Sequence, residues 1–220
     1  RRIPLEVICE LLGLDEKYRS DFASQAGRLT SIGGIWSFIR GLLPIRKLRK
    51  LLEKIIEEER RREDRGEGGE GLIADLVRAE ADGDKLSADE LVAMVFLLLV
   101  AGHETTTHLI SGSTLVLLQN PEQREWLRED EKRWDLAVEE LLRIVSPVQF
   151  SKPRHTRRGG QFHGAELKEG DLVMACLAAA NADPAQFDNP DKLNLARHPN
   201  PHIEFGTGIH FCLGFQLARR

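Results

Sequence analysis

Two hundred and twenty residues, 41% of them apolar, suffice for one globular domain with a real core, and a charged content of 30% at net charge -4 excludes a collagenous, mucin-like or wholly disordered chain. With 31 basic against 35 acidic residues there is no excess positive charge to track a phosphate backbone, which argues against nucleic acid as a partner. The three cysteines, Cys9, Cys176 and Cys212, are an odd and widely spaced set without a C-x-x-C pair, which argues against a disulfide framework and for a reduced, cytoplasmic setting.

The chain opens Arg1-Arg2-Ile3-Pro4, with no initiator Met, no basic-then-apolar leader and no transit-peptide bias. It stops at Leu217-Ala218-Arg219-Arg220, inside a helical pattern that carries no stop signal. Both ends read as cut, and the expectation is a piece of a longer protein.

Ile3, Val7, Ile8, Leu11 and Leu12 have helical spacing and predict a helix over Ile3 to Leu14, with Gly13 as its stop and Cys9 as a small core residue. Asp15 to Leu29 is a second amphipathic stretch, ended by Gly33-Gly34. Pro44 opens a third helix, in which Leu48, Leu51, Leu52, Ile55 and Ile56 form one apolar stripe. Its continuation, Glu57 to Asp64, reads as a solvated charged face, and Arg65 to Gly71 as a mobile glycine-rich loop that fits no phosphate-binding pattern. Leu72 to Glu80 is a short helix and Ala81-Asp82-Gly83-Asp84 a turn.

Ser87 with Glu90 three residues on is a capping box, and it starts the longest element, from Ala88 to about Gln119. Leu91 to Gly102 is free of charge, but the run is short of the ~18 residues a membrane span needs, and Glu104 follows at once. No membrane is expected, and the helix is expected to be the central buried one. Asn120-Pro121 breaks the chain before two further helices, Glu122 to Arg128 and Asp135 to Val145. Short strands follow around Gly turns at Phe162 to Leu167 and Asp171 to Cys176. Asn181 to Phe205 has no sustained period and is expected to be a long ordered loop of the functional kind. The fold class is therefore mainly α with a small β component, without a second core.

Three stretches could carry chemistry. Phe205 to Gly214 holds Gly206, Gly208 and Gly214 around His210 and Cys212, so the backbone can turn tightly and approach a flat or bulky group. Cys212 precedes a helix expected over Leu213 to Arg220, whose unpaired amides would favour a thiolate suited to iron or zinc. His198, His202, His210 and Cys212 could serve as a zinc set, although Pro199 and Pro201 deny the first two a common helical face. Ala101-Gly102-His103-Glu104-Thr105-Thr106-Thr107 breaks local rules inside a long helix: a Gly, a charge and three poor helix formers point to a site, where a carboxylate beside a hydroxyl can relay protons. Glu140 and Arg143 are an i, i+3 ion pair, which taken alone carries little.

In this order the three resemble the cytochrome P-450 family of haem-thiolate monooxygenases. The haem loop F-x-x-G-x-(R/H)-x-C-x-G is matched by Phe205, Gly208, His210, Cys212 and Gly214, the oxygen-groove motif (A/G)-G-x-(D/E)-T-T by Ala101 to Thr106, and E-x-x-R by Glu140 and Arg143. Asn181-Ala182-Asp183-Pro184 with Phe187 and Pro190 is similar to the family's loop before the haem segment, and the texture resembles the soluble bacterial members. The resemblance implies a cytochrome P-450 fold, incomplete at both ends, with residues 1–220 as a single partial domain whose family is nearly twice as long.

Carried over by residue, the resemblance makes Cys212 the axial thiolate of haem b, whose electron push favours O–O cleavage. His210 and Arg154 would hold the propionates, and Phe205, with Gly206 and Gly214 of the same loop, would pack beside the haem. Ala101 and Gly102 would leave room for dioxygen, Glu104 and Thr105 would be the acid–alcohol pair that delivers protons, and Glu140 with Arg143 would fix the scaffold. Pro190-Asp191-Lys192-Leu193 stands where members often read P-x-R-F, so the resemblance leaves the third partner of that pair unassigned.

The implied activity is insertion of one atom of dioxygen into a small or medium apolar organic substrate, with electrons from a ferredoxin/ferredoxin reductase-type donor. Two alternatives stand beside it: a peroxide-driven or isomerising haem-thiolate enzyme, and a non-catalytic metal-binding module.

Overall fold

The computed structural model describes residues 2–29, 35–81 and 86–220. It divides into two compact units, Arg1–Glu104 and Thr105–Arg220.

The first unit is helical. Helix α1 (Arg2–Leu11) ends as expected, with Gly13 in the left-handed region at φ 72°, where a side chain would meet the Glu70 carbonyl. Helix α2 spans Glu16–Leu29; the Gly33-Gly34 stop lies outside the described residues. Helix α3 (Ile35–Asp64) corrects the reading of Pro44 as its first residue, because the helix already runs before that position and continues through it. Helix α4 spans Leu72–Ala81, and the turn expected after it lies outside the described residues.

The apolar stripe of α3 is fully used: Leu48, Leu52, Ile55 and Ile56 are buried with Cys9, Leu12, Phe22, Ile73 and Val77. Each such burial is worth about 1.5–3 kcal/mol in water-removal terms. The charged end of α3 is more than a solvated face. Arg60 forks onto Glu80 of α4 at 2.7 and 3.0 Å, Arg62 reaches Asp15 at 2.9 Å, and buried Glu59 accepts the Gly69 amide. The glycine-rich loop expected to be mobile is thereby tied at Gly69 to the helix that precedes it.

Helix α5 (Ala88–Gln119) starts at the capping box, the Ser87 amide donating to Glu90 at 2.9 Å and the Glu90 amide to Ser87 Oγ at 3.4 Å. It is not the all-round buried helix expected. Leu91, Val95 and Leu99, one i, i+4 row, are buried in the first unit, whereas Leu97 is 59% exposed and Ile110, Leu115 and Leu118 are also open. The described segments of the first unit cover one side of the helix, with Val92, Phe96 and Leu98 partly buried beside that row, as one-sided packing of an amphipathic helix requires. By length and composition α5 could cross a membrane, but its middle carries Glu104 and Thr105 to Thr107.

In the second unit α6 (Pro121–Arg128) and α7 (Trp134–Val145) match their expected spans, with a 3-10 turn at Glu131–Arg133 entering α7. Helix α7 ends on Ser146 in the left-handed conformation at φ 43°. Leu127, Ala137, Leu141 and Leu195 form the core here, joined by Val116, Leu117, Trp126 and Leu193.

Four short strands follow. β1 (Arg154–His155) pairs antiparallel with β4 (Leu172–Val173), and β2 (Gly160–Phe162) with β3 (Ala165–Leu167). The short strands expected around a Gly turn here form a hairpin that begins at Gly160 and turns at His163-Gly164, both with positive φ. Helix α8 (Leu177–Asn181), which periodicity did not announce, leads into a long segment without helix or strand up to a 3-10 turn at Gly208–His210 and a last helix, α9 (Phe215–Arg219).

Candidate functional site

The loop from Phe205 to Gly214 is closed on itself: the Cys212 amide donates to the Phe205 carbonyl at 2.9 Å and the Phe211 amide to Gly208 at 3.1 Å. Closure this tight requires Gly206 and Gly208 at φ 72° and 67°, which only Gly adopts without strain. Cys212 is half-buried and forms no disulfide. Helix α9 begins after Gly214, so the expectation that Cys212 sits directly on a helix N-terminus is corrected: Leu213 and Gly214 intervene, and the Cys212 amide is spent on Phe205.

His210 is exposed on the same loop, flanked by Ile209 at 96% and Leu213 at 86% exposure. Open space lies beyond Gly208 and Gly214, where a side chain would meet nothing within 4 Å. A thiol on a glycine-opened loop, with apolar side chains standing free and the His210 imidazole on the same loop, fits the flat iron porphyrin the resemblance implies.

The Phe205 ring lies 6.3 Å from Phe211 and 6.4 Å from Phe215, with the Arg219 guanidinium 4.5 Å over its face. Arg219 and His202 meet on one carboxylate of α7. Arg219 donates to both oxygens of Glu139, at 3.0 Å to Oε2, and the His202 ring Nε2 lies 2.8 Å from the same Oε2. Burial pushes the Glu139 carboxyl up, but Arg219 and His202 more than offset this and hold it below the ordinary carboxylate range. His202 is therefore engaged with Glu139, and no cluster of three or more His, Cys, Asp or Glu able to hold a metal occurs among the described residues.

A second network is centred on buried Glu140, Arg143 and Arg197. Arg143, 2% exposed, reaches both oxygens of Glu140 at 2.8 Å, and Arg197 adds a third bond at 2.9 Å. Asn194 and Asn200 donate to Glu140 as well, and Arg197 also bonds the Asp188 and Lys192 carbonyls. The partner left unassigned by the sequence is Arg197, not a residue of 190–193. The ring of Phe187 lies 5.1 Å from Arg143 and 5.9 Å from Arg197.

Of the remaining expected residues, Arg154 is exposed on β1, outside the loop. Ala101, Gly102 and Glu104 end the first unit and Thr105 opens the second, along the continuous helix α5. The side chain that Gly102 lacks would fall 2.9 Å from Ile8 of α1, so this Gly lets α1 pack close to α5. Glu139, Arg197, His202, Glu204 and Arg219 were not singled out as partners of the haem-type loop. Their charge alone gave no usable signal, because the proline-rich segment also holds Asp183, Asp188, Asp191 and Lys192, which make none of these contacts through their side chains.

The family model described as Cytochrome P450 matches residues 40–220. The chain is 42% identical to Cytochrome P450 107B1 of Saccharopolyspora erythraea over 99% of this chain and 52% of that protein. It is 41% identical to the Vitamin D(3) 25-hydroxylase of Pseudonocardia autotrophica, again over 99% of this chain and 52% of that protein. Among solved structures, the bacillaene polyketide synthase cytochrome P450 PksS of Bacillus subtilis superposes with a TM-score of 0.90 at 38% identity, covering 99% of this chain and 55% of that one. The chain spans about half the length of the curated relatives it matches. A family match over most of the sequence, a matching fold and the closed Cys212 loop agree: the chain belongs to the cytochrome P450 family.

Proposed function

We propose that this chain is the part of a haem-thiolate monooxygenase that supplies the axial ligand and the proton-delivery residues, as one partial domain over residues 1–220. The observation that carries the reading is the loop itself, in which two left-handed glycines and the Cys212-to-Phe205 bond hold a half-buried thiol beside open space. Haem b, when bound, supplies activation of dioxygen. Cys212 would hold it as a thiolate, His210 and Arg154 would pair with its propionates, and Phe205, Gly206 and Gly214 would pack beside it. By the family resemblance Ala101 and Gly102 would leave room for dioxygen, and Glu104 with Thr105 would be the acid–alcohol pair that delivers protons.

The reaction class is insertion of one oxygen atom into a small or medium apolar organic molecule. The second atom leaves as water, with two electrons from a ferredoxin/ferredoxin reductase-type donor and a cytoplasmic setting. Related proteins carry names such as 6-deoxyerythronolide B hydroxylase and Vitamin D(3) 25-hydroxylase, which supports hydroxylation of an organic substrate as the reaction class. The test is a haemin titration of the chain beside its Cys212→Ser variant. The reading expects saturable uptake with a thiolate-type ferric spectrum in the wild type and loss of that spectrum in the variant; identical spectra would overturn it.

A further inference from the structure

Glu204 is a buried carboxylate that no role above uses, one residue before the loop that carries Cys212. Three neutral donors converge on it. The Val148 amide donates to Oε1 at 2.7 Å, the Ser146 hydroxyl to Oε2 at 3.0 Å and the Asn181 side-chain amide to Oε2 at 3.1 Å. Ser146 and Asn181 are themselves buried and bonded to each other at 3.0 Å. Ser146 is the left-handed cap of α7, so the carboxylate is fastened to a helix end whose backbone is already fixed by its bond to Leu142 at 3.0 Å.

Asn181 links this cluster to the Glu140 network. Its carbonyl accepts from Arg143 at 2.8 Å, and its Oδ1 accepts the Ile203 amide at 2.9 Å. A continuous set of buried bonds thus runs from Glu140 and Arg143 through Asn181 to Glu204, then along the backbone to Phe205, whose carbonyl takes the Cys212 amide. On the segment's own side, His202 Nδ1 lies 3.3 Å from the Glu204 amide. A buried acceptor with this many donors is costly to remove, because each donor is left without a partner away from water.

We propose that Glu204 is a positioning residue: it transmits the fixed placement of α7 to the Cys212 loop and so sets how the thiolate is presented to haem iron. This rests on the haem-thiolate reading above. Glu204→Gln keeps the shape but turns an amide nitrogen toward a set of donors, and Glu204→Ala removes the acceptor.

The experiment is amide hydrogen exchange on the 220-residue chain without haem, followed by the optical spectrum of the same samples loaded with haemin. In both variants exchange over residues 203–214 should rise about tenfold, the equivalent of ~1.4 kcal/mol, while α3 and the middle of α7 keep wild-type protection. On loading, the fraction of haem with thiolate ligation should fall several-fold. Unchanged exchange at 203–214 overturns the proposal, and so does a uniform rise along the chain, which is what a merely structural residue would give. If Glu204→Ala does not fold, Glu204→Gln decides. If the wild type takes up no haem, the haem-thiolate reading of this chain fails, and the exchange profile still decides whether Glu204 holds the loop.

Discussion

Arg197 donates to Glu140 Oε2 at 2.9 Å beside Arg143, so a single buried carboxylate holds two guanidinium groups that stand 57 and 3 residues away along the chain. The short-range partner is set by helix geometry, since i and i+3 share a face of α7. The long-range one ties the proline-rich segment before the Cys212 loop to that helix. With neither oxygen of Glu140 exposed to water, both partners are needed to offset the cost of burying the charge.

Removing Glu140 should therefore strand two guanidinium groups. Glu140→Gln is expected to cost about 3–5 kcal/mol, as breaking a buried ion pair does, and Arg197→Ala less, because Arg143 remains. Urea unfolding of the two variants beside wild type checks both the size and the order.

The partly open packing of α5 gives a paired prediction on one helix. Leu99 is buried and Leu97 is 59% exposed. Leu99→Ala should cost about 2–5 kcal/mol and Leu97→Ala no more than about 0.5 kcal/mol. Equal losses at the two positions would show that the helix is covered on more than one side.

Two carboxylates near the Cys212 loop should give opposite pH signatures. Glu139 is held below its ordinary value of ~4.3, so its contribution is present above that pH and is lost as pH falls through the lower folded value. Glu204 is pushed up by burial, against the bonds from Val148, Ser146 and Asn181. Its contribution is present below ~4.3 and is lost as pH rises through the higher folded value. The groups facing Glu204 are neutral donors, with His202 alone on its own segment. Urea midpoints measured against pH should show a shallower acid-side slope in Glu139→Gln and a smaller decline above ~4.3 in Glu204→Gln.

How much was readable beforehand follows from range. Helices α1, α4, α5, α6 and α7 announced themselves through local spacing, caps and prolines, and the family resemblance rested on short motifs. Arg197 and Glu204 were missed because their partners, Glu140 and Ser146, lie 57 and 58 residues away, with no period to relate them. Glu139 was hidden beside Glu140: adjacent helix positions face differently, and which one meets Arg219 and His202 is decided by tertiary packing. The exposure of Leu97 was equally unreadable, because an apolar run states what could be buried, not how much of the helix neighbouring segments cover.

The proposed proton path gives a prediction on function. In the haem-loaded enzyme Thr105→Ala should raise electrons consumed per product several-fold while substrate binding is kept, measured as reductant oxidised against product formed. A peroxide-driven enzyme would show no such change, since it takes no electrons from a reductant.

The most direct test of the central claim is the carbon monoxide difference spectrum of the reduced, haem-reconstituted chain. Thiolate ligation by Cys212 predicts a strongly red-shifted Soret band that disappears in Cys212→Ser. An unshifted band in the wild type, with haem bound through another residue, would contradict it.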